Sequence, residues 1–308
     1  GRHVLWSVEL GATNFGGPIV GGGKVISGRS CAPRGGPTGC FIAAFDALTG
    51  EELWKFRTGP RDTHCMGNDQ LISRWPCRSG VLLAGDKLYC TGGMWSRDGV
   101  YIYCLDAGTG TIIWKNDTSG FHYSVLPHSE GYNGVSPQGN LVLYKGILYV
   151  PAGRAEPAFY DATTGELLHC ETGVGYKAHY PGGSWVMAFG DRVWFKRRQN
   201  HQGDQAVRDE VMDPIPGFGS GIIGWNYKTG LPEIALTDKN LAVVKDDTMI
   251  LSGAGPVIRL SYAKIKEANR EYNKDGKSLK VDPNVKSPGK QYGFLGNFMA
   301  QAKNRPNR

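Results

Sequence analysis

The sequence predicts an all-β protein, a β-propeller of four-stranded antiparallel blades, with at least five blades in this chain. Three observations carry that expectation. One hairpin recurs along the chain around the pattern Asp-Ala-X-Thr-Gly, with a tryptophan on its second strand. A second hairpin precedes each copy, which makes four strands per repeat. Glycine accounts for 45 of 308 residues, roughly twice its usual share, and falls singly or in pairs between short aromatic and β-branched runs, as turns between strands do. A small four-stranded sheet cannot bury both faces alone, so repeats of this size stack radially.

The elements follow in order. Gly1–Trp6 reads as the back half of a repeat, with Trp6 as its tryptophan. The preceding hairpins fall at Pro18–Ser27, Val81–Tyr89, Leu141–Tyr149, Trp185–Trp194 and Leu241–Ile250. The recurring hairpins are Phe41–Trp54, Tyr101–Trp114 and Ala158–His169, with a weaker copy at Gly224–Gly230. Their marker residues are Asp46, Gly50 and Trp54, then Asp106, Gly110 and Trp114, then Asp161 and Gly165, and finally Gly230. In each, the aspartate can accept bonds from backbone amides two residues on, and the glycine supplies the positive φ that closes the turn. Residues 1–262 form the blades. Residues 263–308 form a basic, irregular arm with one short charged helix at its start, over Tyr262–Tyr272.

Charge excludes one class of function. The net charge is +7, yet residues 264–308 hold eleven Lys/Arg against four Asp/Glu, which leaves 24 of each sign in the rest. The blades are neutral, and a surface-wide phosphate footprint for nucleic acid is absent. No apolar run reaches the roughly 18–20 residues of a spanning helix, so no membrane span is expected.

The Asp-Ala-X-Thr-Gly-X-X-X-Trp repeat resembles that of the quinoprotein propellers, also called the PQQ-like repeat family, over about residues 1–260. The resemblance implies seven or eight blades in a complete ring, with tryptophans docking neighbouring blades. This chain holds fewer and is expected to be part of a larger ring. The family's redox enzymes hold a quinone with calcium, a stacked tryptophan and a vicinal cysteine pair. No Cys-Cys occurs among the seven cysteines here, which places the chain in a non-catalytic branch. No cofactor and no metal site are expected, and PQQ with calcium enters only under the enzyme alternative.

Loop lengths choose the functional face. The turns within each hairpin are short, whereas the connections at 29–39, 57–78, 92–99, 117–137, 153–157, 171–183 and 197–220 are long. In an up-and-down propeller these long connections emerge on one face, and grafted loops on a rigid scaffold are where function sits. The binding candidates on that face are Arg74, Trp75, Trp95, Arg97, Arg154, Glu156, Lys196, Arg197 and Arg198, joined by His64, Arg78, Asp98, His122, His128, Tyr132 and His201. Arginine and aromatic residues dominate binding hot spots. The competing reading makes Trp75 and Trp95 plugs between blades and pairs the arginines with carboxylates.

Three pairs of cysteines bracket long connections: Cys31 with Cys40, Cys65 with Cys77, and Cys90 with Cys104. Bridges there would each close a short loop and imply an oxidising, extracytoplasmic compartment, periplasmic, cell-surface or secreted. Reduced, buried thiols are the other reading. Asn116-Asp-Thr118 is a lone glycosylation sequon. The leading functional expectation is a non-catalytic extracytoplasmic scaffold that binds a protein partner or neighbouring domain through its long-loop face. The alternative is part of a PQQ-dependent dehydrogenase, or an accessory subunit of a redox complex.

Overall fold

In a computed structural model of the chain, the described residues are 3–10, 16–29, 40–67, 70–120, 122–125, 130–152, 155–170, 185–190, 192–197, 221–227, 231–237, 239–245, 248–253, 257–261 and 263. They form a β-propeller. Blade 1 is β1 (Ile19–Gly21), β2 (Lys24–Arg29), β3 (Phe41–Asp46) and β4 (Glu52–Arg57), hydrogen-bonded in that order. A two-stranded hairpin follows, β5 (His64–Gly67) with β6 (Gln70–Ser73). Blade 2 is β7 (Leu82–Ala84), β8 (Lys87–Gly92), β9 (Tyr101–Asp106) and β10 (Ile112–Asn116), with a 3-10 turn at Ser96–Asp98 between β8 and β9. A second hairpin pairs β11 (His122–Val125) with β12 (Glu130–Asn133). Blade 3 is β13 (Val142–Tyr144), β14 (Ile147–Ala152), β15 (Ala155–Asp161) and β16 (Leu167–His169). Blade 4 is β17 (Val186–Phe189), β18 (Arg192–Arg197), β19 (Gly221–Asn226) and β20 (Leu231–Thr237). A fifth sheet has three strands among the described residues: β21 (Lys239–Lys245), β22 (Thr248–Gly253) and β23 (Ile258–Ser261).

All pairings within the sheets are antiparallel, as short hairpin turns require. The first strands of successive blades lie side by side, β1 by β7, β7 by β13 and β13 by β17, which places them around the axis. Burial follows. The two middle strands of a blade are covered on both faces by its neighbours, so β3 reads Phe-Ile-Ala-Ala-Phe with every residue buried. The outer strand β4 alternates instead, and only Trp54 is buried on it. Separate apolar clusters fill successive gaps. Ile42, Ala44 and Trp54 meet Leu88, Cys90 and Leu105 between blades 1 and 2. Ile102, Cys104 and Trp114 meet Leu148, Val150 and Tyr160 between blades 2 and 3.

The recurring turn both closes a hairpin and receives the next blade. Asp46 Oδ1 accepts the Leu48 and Thr49 amides at 2.9 and 2.8 Å and the Thr49 hydroxyl at 3.1 Å. These bonds favour the ionised carboxylate and hold Asp46 below the usual range. Asp106 and Asp161 repeat the arrangement, with carboxyls shifted the same way. Gly50 and Gly110 take φ of +76° and +73°. A Cβ at either would lie 2.6 Å from a tryptophan ring atom, of Trp6 and Trp54 respectively, so glycine serves both the backbone and the stacked indole. Each tryptophan also donates its indole N–H to the alanine of the same turn: Trp6 to the Ala47 carbonyl at 3.1 Å, Trp54 to Ala107 at 3.2 Å and Trp114 to Ala162 at 3.0 Å. In the next blade His169 takes the tryptophan's place, and its ring lies 6.1 Å from that of Trp225. The basic arm lies outside the described residues apart from Ala263.

Candidate functional site

The long connections of blades 1 and 2 build a defined corner of the loop face. Thr58, fully buried just past β4, fastens it: its hydroxyl donates to the Cys40 carbonyl at 3.1 Å and the Trp75 carbonyl at 3.2 Å. The Thr58 carbonyl in turn accepts the Tyr103 hydroxyl at 3.1 Å. Trp75 is 4% exposed. Its indole N–H donates to the Asp98 carbonyl at 2.8 Å, and a Cβ at Gly59 would lie 2.8 Å from its ring. Trp75 is therefore packed between loops. Arg74 Nη2 donates to Asp98 Oδ1, a pair about one-third exposed on the arginine side and 12% on the aspartate side. Arg78 Nη1 contacts Met94 Sδ, and Ser79 is hydrogen-bonded to Thr91 through their hydroxyls, both residues buried. Trp95 is half-buried, its carbonyl accepting the Asp98 amide at 3.0 Å, and Arg97 is exposed.

The structure thus brings Arg74, Trp75 and Asp98 together, with Cys65 beside them on β5. Burial raises the Cys65 thiol; Asp98 adds to the rise and Arg74 opposes it. His64 lies on the same strand, paired with Ser73. Lys196 and Arg197 end β18 opposite Ile222 and Gly221, and Glu156 lies near the start of β15, all at the long-loop ends of their blades. His122 and Tyr132 lie on β11 and β12. Arg154, Arg198, His128 and His201 lie outside the described residues. Thr58, Ser79 and Met94 escaped sequence reasoning because single small or thioether side chains carry no motif. Thr58 alone had a positional signal, directly after a tryptophan-bearing strand.

Two cysteine pairings are corrected. Cys65, Cys77, Cys90 and Cys104 are unbridged thiols. Cys90 and Cys104 sit on adjacent strands but opposite Tyr103 and Tyr89, one residue out of register. Their side chains consequently enter different gaps, Cys90 between blades 1 and 2 and Cys104 between blades 2 and 3, and no bridge can span the sheet. Cys65 sits beside Asp98 and Arg74, whereas Cys77 points into the core that contains Cys90. Cys31 lies outside the described residues, and the Cys31–Cys40 pairing with it. The sequon asparagine is structural: Asn116 Nδ2 donates to the Gly165 carbonyl at 2.8 Å, across to the next blade.

The quinone and calcium of the family's enzymes call for an open aromatic face, unpaired cations for the quinone's carboxylates and a convergent set of metal ligands. Trp75 offers no open face, Arg74 is committed to Asp98, and no three His, Cys, Asp or Glu among the described residues could hold a metal ion. The described residues do not by themselves fit this group.

Stacked four-stranded blades locked by tryptophan-receiving Asp/Gly turns define a propeller of the PQQ-repeat class. The chain belongs to the family described as outer membrane protein assembly factor BamB (PQQ_2), whose model matches residues 40–264. The chain is also 51% identical over 259 residues to a lupanine 17-hydroxylase [cytochrome c] from a Pseudomonas species; the match covers 71% of this chain and 35% of that protein, so the chain spans about a third of the relative's length. Among solved structures it is similar to the quinohemoprotein alcohol dehydrogenase of Comamonas testosteroni, with a TM-score of 0.53 and 14% identity over 84% of this chain and 43% of that one. A europium-containing methanol dehydrogenase matches with a TM-score of 0.50 and 14% identity, over 84% of this chain and 53% of that one. These last two likenesses concern the fold.

The hydroxylase corrects two expectations. A relative at 51% identity is an enzyme named with cytochrome c, against the reading of a non-catalytic scaffold and against that of a chain with no redox cofactor. The missing vicinal cysteine pair was a poor guide, because it weighed one motif against a chain that spans only about a third of its relative.

Proposed function

We propose that this chain is a propeller portion of an extracytoplasmic, quinoprotein-type oxidoreductase that oxidises an organic substrate and passes the electrons to a cytochrome c. The observation that carries this reading is the 51% identity to the lupanine 17-hydroxylase [cytochrome c]. It supports reading the chain as part of a catalytic branch of its repeat family. The outer-membrane description of the family supports the extracytoplasmic location, and no helix among the described residues is long and apolar enough to cross a membrane.

In this reading the cytochrome is the protein partner, and the remaining ring is the neighbouring domain. The described residues hold the loop face in shape. Thr58 ties two loops together, the Trp75 indole is hydrogen-bonded to the Asp98 carbonyl, and Arg74 is paired with the Asp98 carboxylate. Because these residues do not complete a quinone site, no chemical step is assigned to them.

The test is a calorimetric titration of ferricytochrome c into the full chain. Saturable binding is the expected result, and its absence would overturn the reading.

A further inference from the structure

The seam between blades 3 and 4 is built differently from those before it. Trp6, Trp54 and Trp114 each stand against the turn glycine of the blade that follows and donate the indole N–H into the same turn. At the next seam His169 holds that position, and Ile234 holds it in the repeat after that. Inside the seam, the buried Tyr149 hydroxyl and the buried Trp225 indole N–H have no hydrogen-bond partner among the described residues.

A contact at the rim stands in for the tryptophan. The turn that joins the first two strands of a blade begins with Gly22, Gly85 and Gly190 in blades 1, 2 and 4, at φ of +57°, +64° and +67°. In blade 3 it begins with Lys145 at φ +50°, the one non-glycine residue of positive φ among the described residues. That conformation is costly for lysine and free for glycine. The lysine side chain crosses the seam: its Nζ donates to the Tyr227 hydroxyl, in the turn after β19, at 3.1 Å. The same Nζ lies 4.5 Å from the Tyr227 ring centroid and 5.3 Å from that of Tyr144. The two rings meet edge to face at 5.8 Å, and Tyr144 donates its hydroxyl to the Gly190 carbonyl of blade 4.

We propose that the seam between blades 3 and 4 is the opening joint of this chain, held shut at its rim by a clasp of Lys145 between Tyr144 and Tyr227. Blade 4 parts from blade 3 before blades 1, 2 and 3 part from one another. The clasp is exposed to water on the lysine side, and an exposed cation on an aromatic face holds less strongly than a buried indole that is both packed and hydrogen-bonded. Blade 3 keeps its fold as the joint opens, so the backbone cost at Lys145 is the same in the closed and open states and cancels. Only the clasp is lost. A blade that loses one neighbour uncovers an apolar face and loosens its strand pairing, so the opening is read at the amides of blade 4.

The test is native-state hydrogen exchange of the full chain, read by peptide mass spectrometry. The expected pattern is weaker protection across β17–β19 than across β2–β3, β8–β9 and β14–β15. Equal protection in all four blades would overturn the proposal. Lys145→Gly provides the second measurement, because it separates the clasp from the turn. Glycine takes the same φ without strain, so a residue that served the turn alone would leave exchange at β17–β19 unchanged or slower. Loss of the clasp instead speeds exchange there by about two- to fivefold, the equivalent of one exposed cation–π contact, and leaves β2–β3 and β8–β9 as they were. Unchanged or slower exchange at β17–β19 in this variant would equally contradict the proposal.

Discussion

Trp54 of blade 1 donates its indole N–H to the carbonyl of Ala107 in blade 2 at 3.2 Å, with its ring against Gly110 of the same turn. One side chain thus joins two blades through a hydrogen bond and a stacked apolar face. Trp54→Ala removes both and is expected to lower the stability to urea unfolding by about 3–5 kcal/mol. Gly110→Ala, forced into φ +73°, is expected to cost about 1–3 kcal/mol from the backbone alone.

Tyr89 and Tyr149 occupy equivalent positions on β8 and β14, but only one hydroxyl is satisfied. Tyr89 donates to the Ala162 carbonyl at 3.2 Å, whereas the buried Tyr149 hydroxyl has no hydrogen-bond partner among the described residues. Tyr89→Phe is expected to cost about 0.5–1.5 kcal/mol, and Tyr149→Phe to be neutral or stabilising, because a buried hydroxyl without a partner is itself unfavourable. Parallel urea titrations of the two variants check this.

The turn carboxylates set an acid limit. Asp46, Asp106 and Asp161 are held below the usual carboxylate range in the folded chain and regain ordinary values on unfolding. The unfolded chain then takes up protons first as pH falls. Their contribution is complete above about pH 4 to 5 and is lost as pH drops through the depressed folded values. Thermal melting followed from neutral pH downward should show this fall, and Asp161→Asn should flatten it.

Cys65 reports on its two charged neighbours. Asp98 raises its thiol and Arg74 lowers it. At a fixed, mildly alkaline pH, Asp98→Asn should speed alkylation of Cys65 by iodoacetamide and Arg74→Met should slow it. Peptide mass spectrometry of the timed reaction reads the rates, and equal rates in both variants would remove the electrostatic account of this corner.

Much of the fold was legible because each blade repeats one turn whose chemistry is local. Aspartate, glycine and tryptophan mark it, and their partners lie a known number of residues away or one repeat on. The hairpins β5–β6 and β11–β12 were not legible: they are short and lie inside long connections. The cysteine pairs were misjudged for a geometric reason. Proximity along the chain does not say which face of a sheet a side chain takes, and one residue of register sends Cys90 and Cys104 into different gaps. At the loop face, composition identifies Trp75 and Arg74 as candidates for binding or for packing but does not name their partners. Asp98 already occupies both.

The most direct test of the proposed reading is the encounter with a cytochrome c. Ferricytochrome c is titrated into the full chain by calorimetry, and the titration is repeated with Arg97→Glu, at an exposed arginine of the loop face. The proposal predicts saturable binding that this substitution weakens. No binding, or binding that the substitution leaves unchanged, would contradict it.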